Sequence, residues 1–429
     1  MAANKNSIEF ARELDQADSL KNYRSKFYIP QFNGKDTVYF TGNSLGLQPK
    51  STKTYIEQEL NDWATFGVEG HFEAKKPWFA YHEFLSEKAA KIVGAKTQEV
   101  VITHSLTTNL HLLLVSFYRP TKTRYKILCE KKAFPSDQYA LESQVKFHRF
   151  DPQDAIIEVG PRNGEHLITD DDILDTIRKH GAEIAVIMIG GVNYYSGQLF
   201  DMQSITKVGH EVGAVVGFDL AHAAGNVKLN LHDWQVDFAA WCSYKYLNSS
   251  PGGVSGMFVH ENHANKPELP RFAGWWGHDK EVRFQMEPGF KPMAGAEGWQ
   301  LSNAPVLGMA AHLASLDIFD EVGMDQLIQK RIQLTNYLEE LVLEVSAKYA
   351  AVCRFEIITP KEVSRRGAQL SILVHGKGKP VFDALTKQGV IADWREPNVI
   401  RIAPTPLYNT FEDVFRFCEA LENAVSANY

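Results

Sequence analysis

The sequence is most informative first in what it lacks. Only four cysteines occur in 429 residues, Cys129, Cys242, Cys353 and Cys418, and none forms a CxxC pair. That excludes a disulfide framework and a Cys-rich structural zinc site, and it fits a reducing compartment. No HExxH is present, so no helix offers that zinc pair. No stretch approaches the roughly 18 consecutive apolar residues of a membrane span. The first residues, MAANKNSIEFARELDQ, have no apolar signal core, and a cytoplasmic protein is expected. Positive charge is not in excess either: Lys plus Arg is 45 against 52 Asp plus Glu, a net charge of -7. Nucleic acid and anionic membranes therefore have no global electrostatic hold on the chain. Internal repeats and low-complexity segments are absent.

What is present is an ordinary globular composition, 44% hydrophobic and 23% charged, with 11% aromatic residues including eight Trp. The length calls for two domains or one elaborated one. A polar helix near Ser7–Leu14 leads into the loop 39–46. Apolar runs then alternate with amphipathic stretches: 100–102, 125–129, 184–189, 214–218 and 238–241 read as strands, and 106–117 as a helix. These runs are continuously apolar rather than alternating, which indicates a parallel sheet covered on both faces. Beyond Gly298 the pattern changes. Helices are expected over 305–319 and 327–349, the second with Ile328, Ile332, Leu338, Leu341 and Val345 at turn spacing. Strands over 355–358, 369–374 and 399–402 follow, then a closing helix over 411–425. The expected class is α/β, with a large mostly parallel sheet and a smaller C-terminal α+β domain that begins near Gln300–Pro305.

Open parallel sheets bind ligands beyond the carboxyl ends of their strands. After the strand at 100–102 come Ser105, Leu106 and Thr107, opening a helix whose N-terminus is an anion site or simply a capped end. After 214–218 come Asp219 and, three residues on, His222; a facing pair and a cap with a structural histidine explain them equally well. After 238–241 come Tyr244 and Lys245 among aromatics, followed by a glycine-rich run 251–256. Burial there depresses a lysine pKa and leaves an amine able to form a Schiff base. With Phe134 as a ring face, Lys245, Asp219 and Ser105–Thr107 supply the parts of a pyridoxal phosphate (PLP) site, in which a carboxylate keeps the pyridine nitrogen protonated.

The ensemble is more specific than its parts. YFTGNSLGLQP over Tyr39–Pro49, KAFPSD over Lys132–Asp137, GFDLAH over Gly217–His222, WCSYKYLN over Trp241–Asn248 and GWWGH over Gly274–His278 resemble the kynureninase family, in the class V aminotransferase-like group of fold-type I PLP enzymes. The likeness runs from FYIP at 27–30 to RIAP at 401–404 and PLYN at 406–409.

The resemblance implies an N-terminal segment 1–60 packing with the small domain, a PLP domain 61–300 and a small domain 301–429. It implies hydrolysis of L-kynurenine or 3-hydroxy-L-kynurenine to anthranilate or 3-hydroxyanthranilate plus L-alanine, in tryptophan catabolism and NAD precursor synthesis, by a cytoplasmic homodimer. By the same resemblance Lys245 carries PLP, Asp219 pairs with its pyridine nitrogen, and His222, Phe134 and Asp137 surround the ring. Leu106, Thr107, Tyr195, Tyr244 and Trp275 serve the phosphate side, Tyr244 also assisting proton transfer. Arg401 clamps the substrate carboxylate, while His71, Ser302 and Asn303 face the aryl ketone in the pattern of relatives that favour 3-hydroxykynurenine, Asn303 also contacting the cofactor. Gly190 stands where some relatives carry a serine near the cofactor. Rival readings are an aminotransferase, a cysteine desulfurase with Cys353 as nucleophile, a nicotinamide dehydrogenase and a non-catalytic binding protein. No G-x-G-x-x-G follows any expected strand, which disfavours the dehydrogenase. Cys353 lies in an apolar run read as a strand, and a binding protein has no need of the lysine.

Overall fold

The computed structural model describes residues 5–429. The chain divides into two units: a larger one of Thr52–Asn193 and Phe200–Glu321, and a smaller one of Met1–Ser51, Tyr194–Leu199 and Val322–Tyr429. The boundary expected at Gln300–Pro305 thus falls ahead of the helix Val306–Val322, nearly all of which belongs to the larger unit.

The larger unit is built on a seven-stranded sheet. In chain order its strands are β1 (Val100–Thr103), β2 (Lys126–Glu130), β3 (Ile156–Val159), β4 (Ile184–Gly190), β5 (Val215–Asp219), β6 (Phe238–Cys242) and β7 (Ser255–Val259). Their spatial order is β1-β7-β6-β5-β4-β2-β3. All neighbours from β6 to β3 are parallel, and β7 runs antiparallel between β1 and β6. Strands β5 and β6 carry apolar side chains buried on both faces, as a sheet covered by helices on either side requires. Two strands, β3 and β7, were not among those expected from the apolar runs. The first is a partly exposed edge strand, and the second begins with Ser255-Gly256 and merges with a glycine-rich loop.

Helices α1 (Leu106–Phe117) and α2 (Pro135–Phe147) follow β1 and β2. A core of Leu110, Leu113, Phe117, Ile127, Val186, Phe238 and Met257 lies between helices and sheet. Because the parallel strands all end on one side, Thr103, Glu130, Gly190, Asp219 and Cys242 share an edge. Among the described residues no helix is long and apolar enough to cross a membrane.

The smaller unit holds a four-stranded antiparallel sheet of β8 (Arg354–Ile357), β9 (Leu370–His375), β10 (Asp393–Arg395) and β11 (Val399–Ile402), ordered β8-β9-β11-β10. Helices α3 (Met324–Lys348) and α4 (Phe411–Asn428) pack with it, burying Leu334, Leu338, Leu341, Phe417 and Leu421. The buried face of α3 differs from the expected one. Ile328 and Ile332 are only half-buried, while Lys330 and Arg331 are buried. Polar partners explain the exchange: Lys330 pairs with Asp18 at 2.7 Å and Arg331 donates to the Arg366 carbonyl at 2.8 Å.

Candidate active site

Strand β5 ends on Asp219, whose Oδ1 accepts from the Ala221 backbone N–H at 2.6 Å. Asp219, His222 and Asp137 are all buried. Asp137 comes from the first turn of α2 and lies against Asp219, with the Ser136 hydroxyl 3.2 Å from its Oδ1. Burial and the neighbouring Asp219 charge push the Asp137 carboxyl well up. Burial also raises Asp219, opposed by the Ala221 N–H and by Lys245. One proton held on Asp137 and shared towards Asp219 satisfies both carboxyls, because two buried carboxylates at hydrogen-bond distance do not both ionise.

Beyond β6 the chain turns through Tyr244 and Lys245. Lys245 Nζ lies 3.0 Å from His222 Nε2 and 5.9 Å from the centroid of the Phe134 ring. Phe134 caps α2, where Pro135 at the first helical position fixes the entry of the chain, and its ring remains partly exposed. The Tyr244 hydroxyl is pushed up by burial and by the Cys242 thiol, and so keeps its proton. Helix α1 begins at Leu106 and Thr107. Its N-cap, Ser105, gives no side-chain bond to the helix backbone; the hydroxyl pairs with Thr108 Oγ1 at 3.0 Å instead. The first-turn N–H groups of α1 are therefore left for an anion.

These residues make an amine, a carboxylate aimed along the sheet edge, an aromatic face and an open helix N-terminus within one unit. The set can hold a flat heteroaromatic ring that carries a negatively charged group.

Glu130 is a member of this edge that the sequence did not single out. It ends β2, is buried, and takes the Gly190 N–H onto both carboxylate oxygens at 3.2 and 3.1 Å. Burial raises its pKa to about 7. A Cβ on Gly190 would lie 2.9 Å from Glu130 Oε1, so the glycine leaves room for this carboxylate. The signal in the sequence was one acid ending the apolar run Ile127-Leu128-Cys129.

The remaining expected residues of the larger unit lie on surfaces. Trp275 is partly exposed and packs edge-on against Trp276 at 5.8 Å and Phe284 at 5.6 Å. Ser302 and Asn303 are exposed. They follow Leu301, whose backbone a Cβ on Gly274 would meet at 2.2 Å, so Trp275 and the 302–303 segment share one patch. His71 packs edge-on against Trp78 at 5.5 Å, with Nδ1 3.0 Å from the Val68 carbonyl.

Two expected residues belong to the smaller unit. Tyr195 packs against Ile358, Leu373 and Val399. Arg401, on β11, is 1% exposed; it pairs with Asp393 and donates to the Tyr194 carbonyl. The four cysteines are all buried, Cys353 among them. Cys353 lies just ahead of β8 rather than within a strand as expected, but its side chain is packed into the core of the smaller unit, so it is not a desulfurase nucleophile presented on an open loop.

The chain is 57% identical to a kynureninase of Flavobacterium psychrophilum over 99% of both chains. The chain belongs to the kynureninase family. The model of the kynureninase C-terminal domain also matches residues 327–421. The fold is shared more widely than the family. An apo cysteine desulfurase from Thermococcus onnurineus NA1 superposes with a TM-score of 0.75 at 17% identity, covering 95% of this chain and 98% of that one. A variant of the C-DES enzyme, with glycine covalently linked to its PLP cofactor, gives 0.76 at 16% identity over 90% and 96%. This chain thus has the fold-type I architecture of these neighbours, and its strand-end residues Asp219, His222 and Lys245 fall in the larger unit.

Proposed function

We propose that this protein is a PLP-dependent kynureninase. It hydrolyses the Cβ–Cγ bond of L-kynurenine or 3-hydroxy-L-kynurenine, releasing L-alanine and anthranilate or 3-hydroxyanthranilate. The observation that carries the reading is Lys245 Nζ at 3.0 Å from His222 Nε2, beside buried Asp219 and over the Phe134 ring.

The donor set fits PLP. The Lys245 amine suits the aldehyde, the Asp219 carboxylate the pyridine nitrogen, the Phe134 ring one face, and the N–H groups at Leu106 and Thr107 the phosphate. Bound PLP supplies a sink for the electrons of bonds broken at the substrate α-carbon. The protein supplies the rest. Asp219, with Asp137 holding the proton of the pair, would present a carboxylate able to keep a bound pyridine nitrogen protonated. Lys245 would carry the α-proton between substrate positions, with His222, 3.0 Å from its Nζ, steering the amine. Arg401 binds the substrate α-carboxylate, a task suited to a guanidinium fork. Tyr244, protonated at neutral pH, donates a proton as water adds to the γ-carbonyl.

The working state in this reading is a cytoplasmic homodimer. The larger unit exposes Trp63, Val68 and the neighbouring rings of Phe72 and Phe284, apolar side chains that a second copy would cover. Trp275, Ser302, Asn303 and His71 lie exposed or half-buried in a single chain, where a neighbouring subunit brings them to bear on a site.

The test is to supply L-kynurenine and 3-hydroxy-L-kynurenine and to follow anthranilate fluorescence and L-alanine. Release of both products, with a higher kcat/KM for the hydroxylated substrate, is expected. Sulfide release from L-cysteine with no anthranilate overturns the reading. A higher kcat/KM for plain kynurenine overturns the substrate preference alone.

A further inference from the structure

The turn Thr41-Gly42-Asn43-Ser44-Leu45-Gly46 is among the most distinctive stretches of the sequence, and the chemistry above leaves it without a task. In the smaller unit it lies beside Arg401. Thr41 bridges Ala403, two residues beyond Arg401, and the Ser44 and Leu45 N–H groups close the turn on the Thr41 carbonyl at 2.8 and 3.0 Å. A Cβ on Gly42 would meet Thr405 Oγ1 at 2.2 Å, so only glycine allows this approach. Two side chains of the turn then reach the surroundings of the guanidinium. Ser44 donates to Asp393 Oδ2 at 2.7 Å, and Asn43 donates to Gln369 Oε1 at 2.9 Å.

Asp393 Oδ2 is a shared point. It takes Ser44 Oγ, Arg395 Nη2 at 3.1 Å and Arg401 Nη2. Asp393 and Arg401 are cross-strand partners in β10 and β11, so backbone register holds them side by side. On the other flank Arg401 Nη1 donates to the Tyr194 carbonyl, which also accepts from Gln369 Nε2 at 3.0 Å. The turn, Gln369, Tyr194, Arg401 and Asp393 therefore form one closed ring of hydrogen bonds, which holds the guanidinium at both Nη atoms. Charge also favours an anion. Asp393 alone would neutralise Arg401, but Arg395 binds the same oxygen, leaving the three residues with one net positive charge. That matches a single carboxylate.

We propose that Asp393, anchored by Ser44 and Arg395, is the positioning residue that orients Arg401 for the substrate carboxylate, and that the Thr41–Gly46 turn is the anchor of this arrangement. The proposal rests on the reading of Arg401 as the carboxylate clamp.

The test uses the PLP-loaded enzyme and two ligands, L-alanine and L-alaninamide, which differ in the carboxylate. Affinities are read from the change in visible absorption, and thermal midpoints are recorded in parallel. Wild type is expected to prefer L-alanine. In Asp393→Ala that preference falls about tenfold or more, as loss of a charge-assisted hydrogen bond requires. Ser44→Ala lowers it less, in the same direction, and in both variants KM for kynurenine rises far more than kcat falls. Arg401→Lys separates the two layers. If it keeps the preference for alanine, the clamp reading fails. If it abolishes that preference while Asp393→Ala and Ser44→Ala keep it at unchanged thermal midpoints, the positioning proposal is overturned. Tighter alanine binding in Asp393→Ala overturns it as well, since Asp393 would then be a competitor of the substrate. Should Asp393→Ala not fold, Asp393→Asn and Ser44→Ala carry the same comparison, Asp393→Asn keeping an oxygen acceptor but no charge.

Discussion

Gly256 is the position where one methyl group tests how Lys245 is placed. It lies in β7 directly opposite Trp241 of β6, and Trp241 is fully buried. A Cβ at Gly256 would lie 2.2, 2.3 and 2.7 Å from Cζ2, Cε2 and Nε1 of the indole. Carbon atoms in a packed interior sit about 3.5–4.0 Å apart, so the rigid ring must withdraw by roughly 1 Å or more. Overpacking costs about 1–3 kcal/mol, and a displaced, fully buried bicyclic ring belongs at the top of that range. Gly256→Ala is therefore expected to lose about 3 kcal/mol of unfolding free energy in urea. Because β6 runs on into Tyr244 and Lys245, cofactor retention, read from the visible band, should weaken too. Gly308→Ala is the control of opposite sign. Its Cβ meets only Val254 Cγ1, at 3.4 Å, within the helix Val306–Val322. There alanine should be neutral or stabilise by up to about 1 kcal/mol. A loss below about 1 kcal/mol in Gly256→Ala, with unchanged cofactor affinity, refutes the claim that the β6–β7 interlock positions the lysine.

Two further outcomes are expected. Asp219→Asn removes the charge facing the pyridine nitrogen and should lower kcat/KM about a hundredfold or more, equivalent to about 3 kcal/mol, with the secondary structure intact by circular dichroism; near-wild-type kcat/KM contradicts the role of Asp219. Asp237 accepts from His210 Nε2 at 2.8 Å, His263 Nε2 at 2.6 Å and the Val216 N–H at 2.7 Å, and its carboxyl is held down at about 2 from an ordinary 3.8. A depressed folded pKa stabilises above the unfolded value and is lost as pH falls through the folded one. Wild type should therefore exceed Asp237→Asn by about 2 kcal/mol at pH 6, and that gap should shrink between about pH 4 and pH 2; a pH-independent gap argues against an ionic origin.

The parallel core was legible because buried strands write themselves as continuous apolar runs, as 184–189 does within β4. Strand β7 was not, since Ser255 and Gly256 read as part of a loop and only pairing with β1 and β6 makes them a strand. Strand β10 has three residues, Asp-Trp-Arg, and no pattern that short announces itself. In the site, Asp219 and Lys245 could be read from position alone, because strand ends of a parallel sheet converge. Glu130 shares that position yet looked like an ordinary polar strand end; its burial depends on the Gly190 N–H of β4, far along the chain. Asp393 became visible only through antiparallel register, which places it against Arg401. The surface residues Trp275, Ser302, Asn303 and His71 draw their meaning from the resemblance, since exposed positions carry no periodic signal.

In the proposed reaction Lys245 is the residue that carries PLP. Reducing the PLP-loaded enzyme with borohydride fixes the cofactor to its lysine, and peptide mass spectrometry then locates it. Modification of Lys245 alone, together with loss of kynurenine turnover in Lys245→Ala, is the predicted result. Stable modification of another lysine, or anthranilate release at the wild-type rate by Lys245→Ala, would contradict the account.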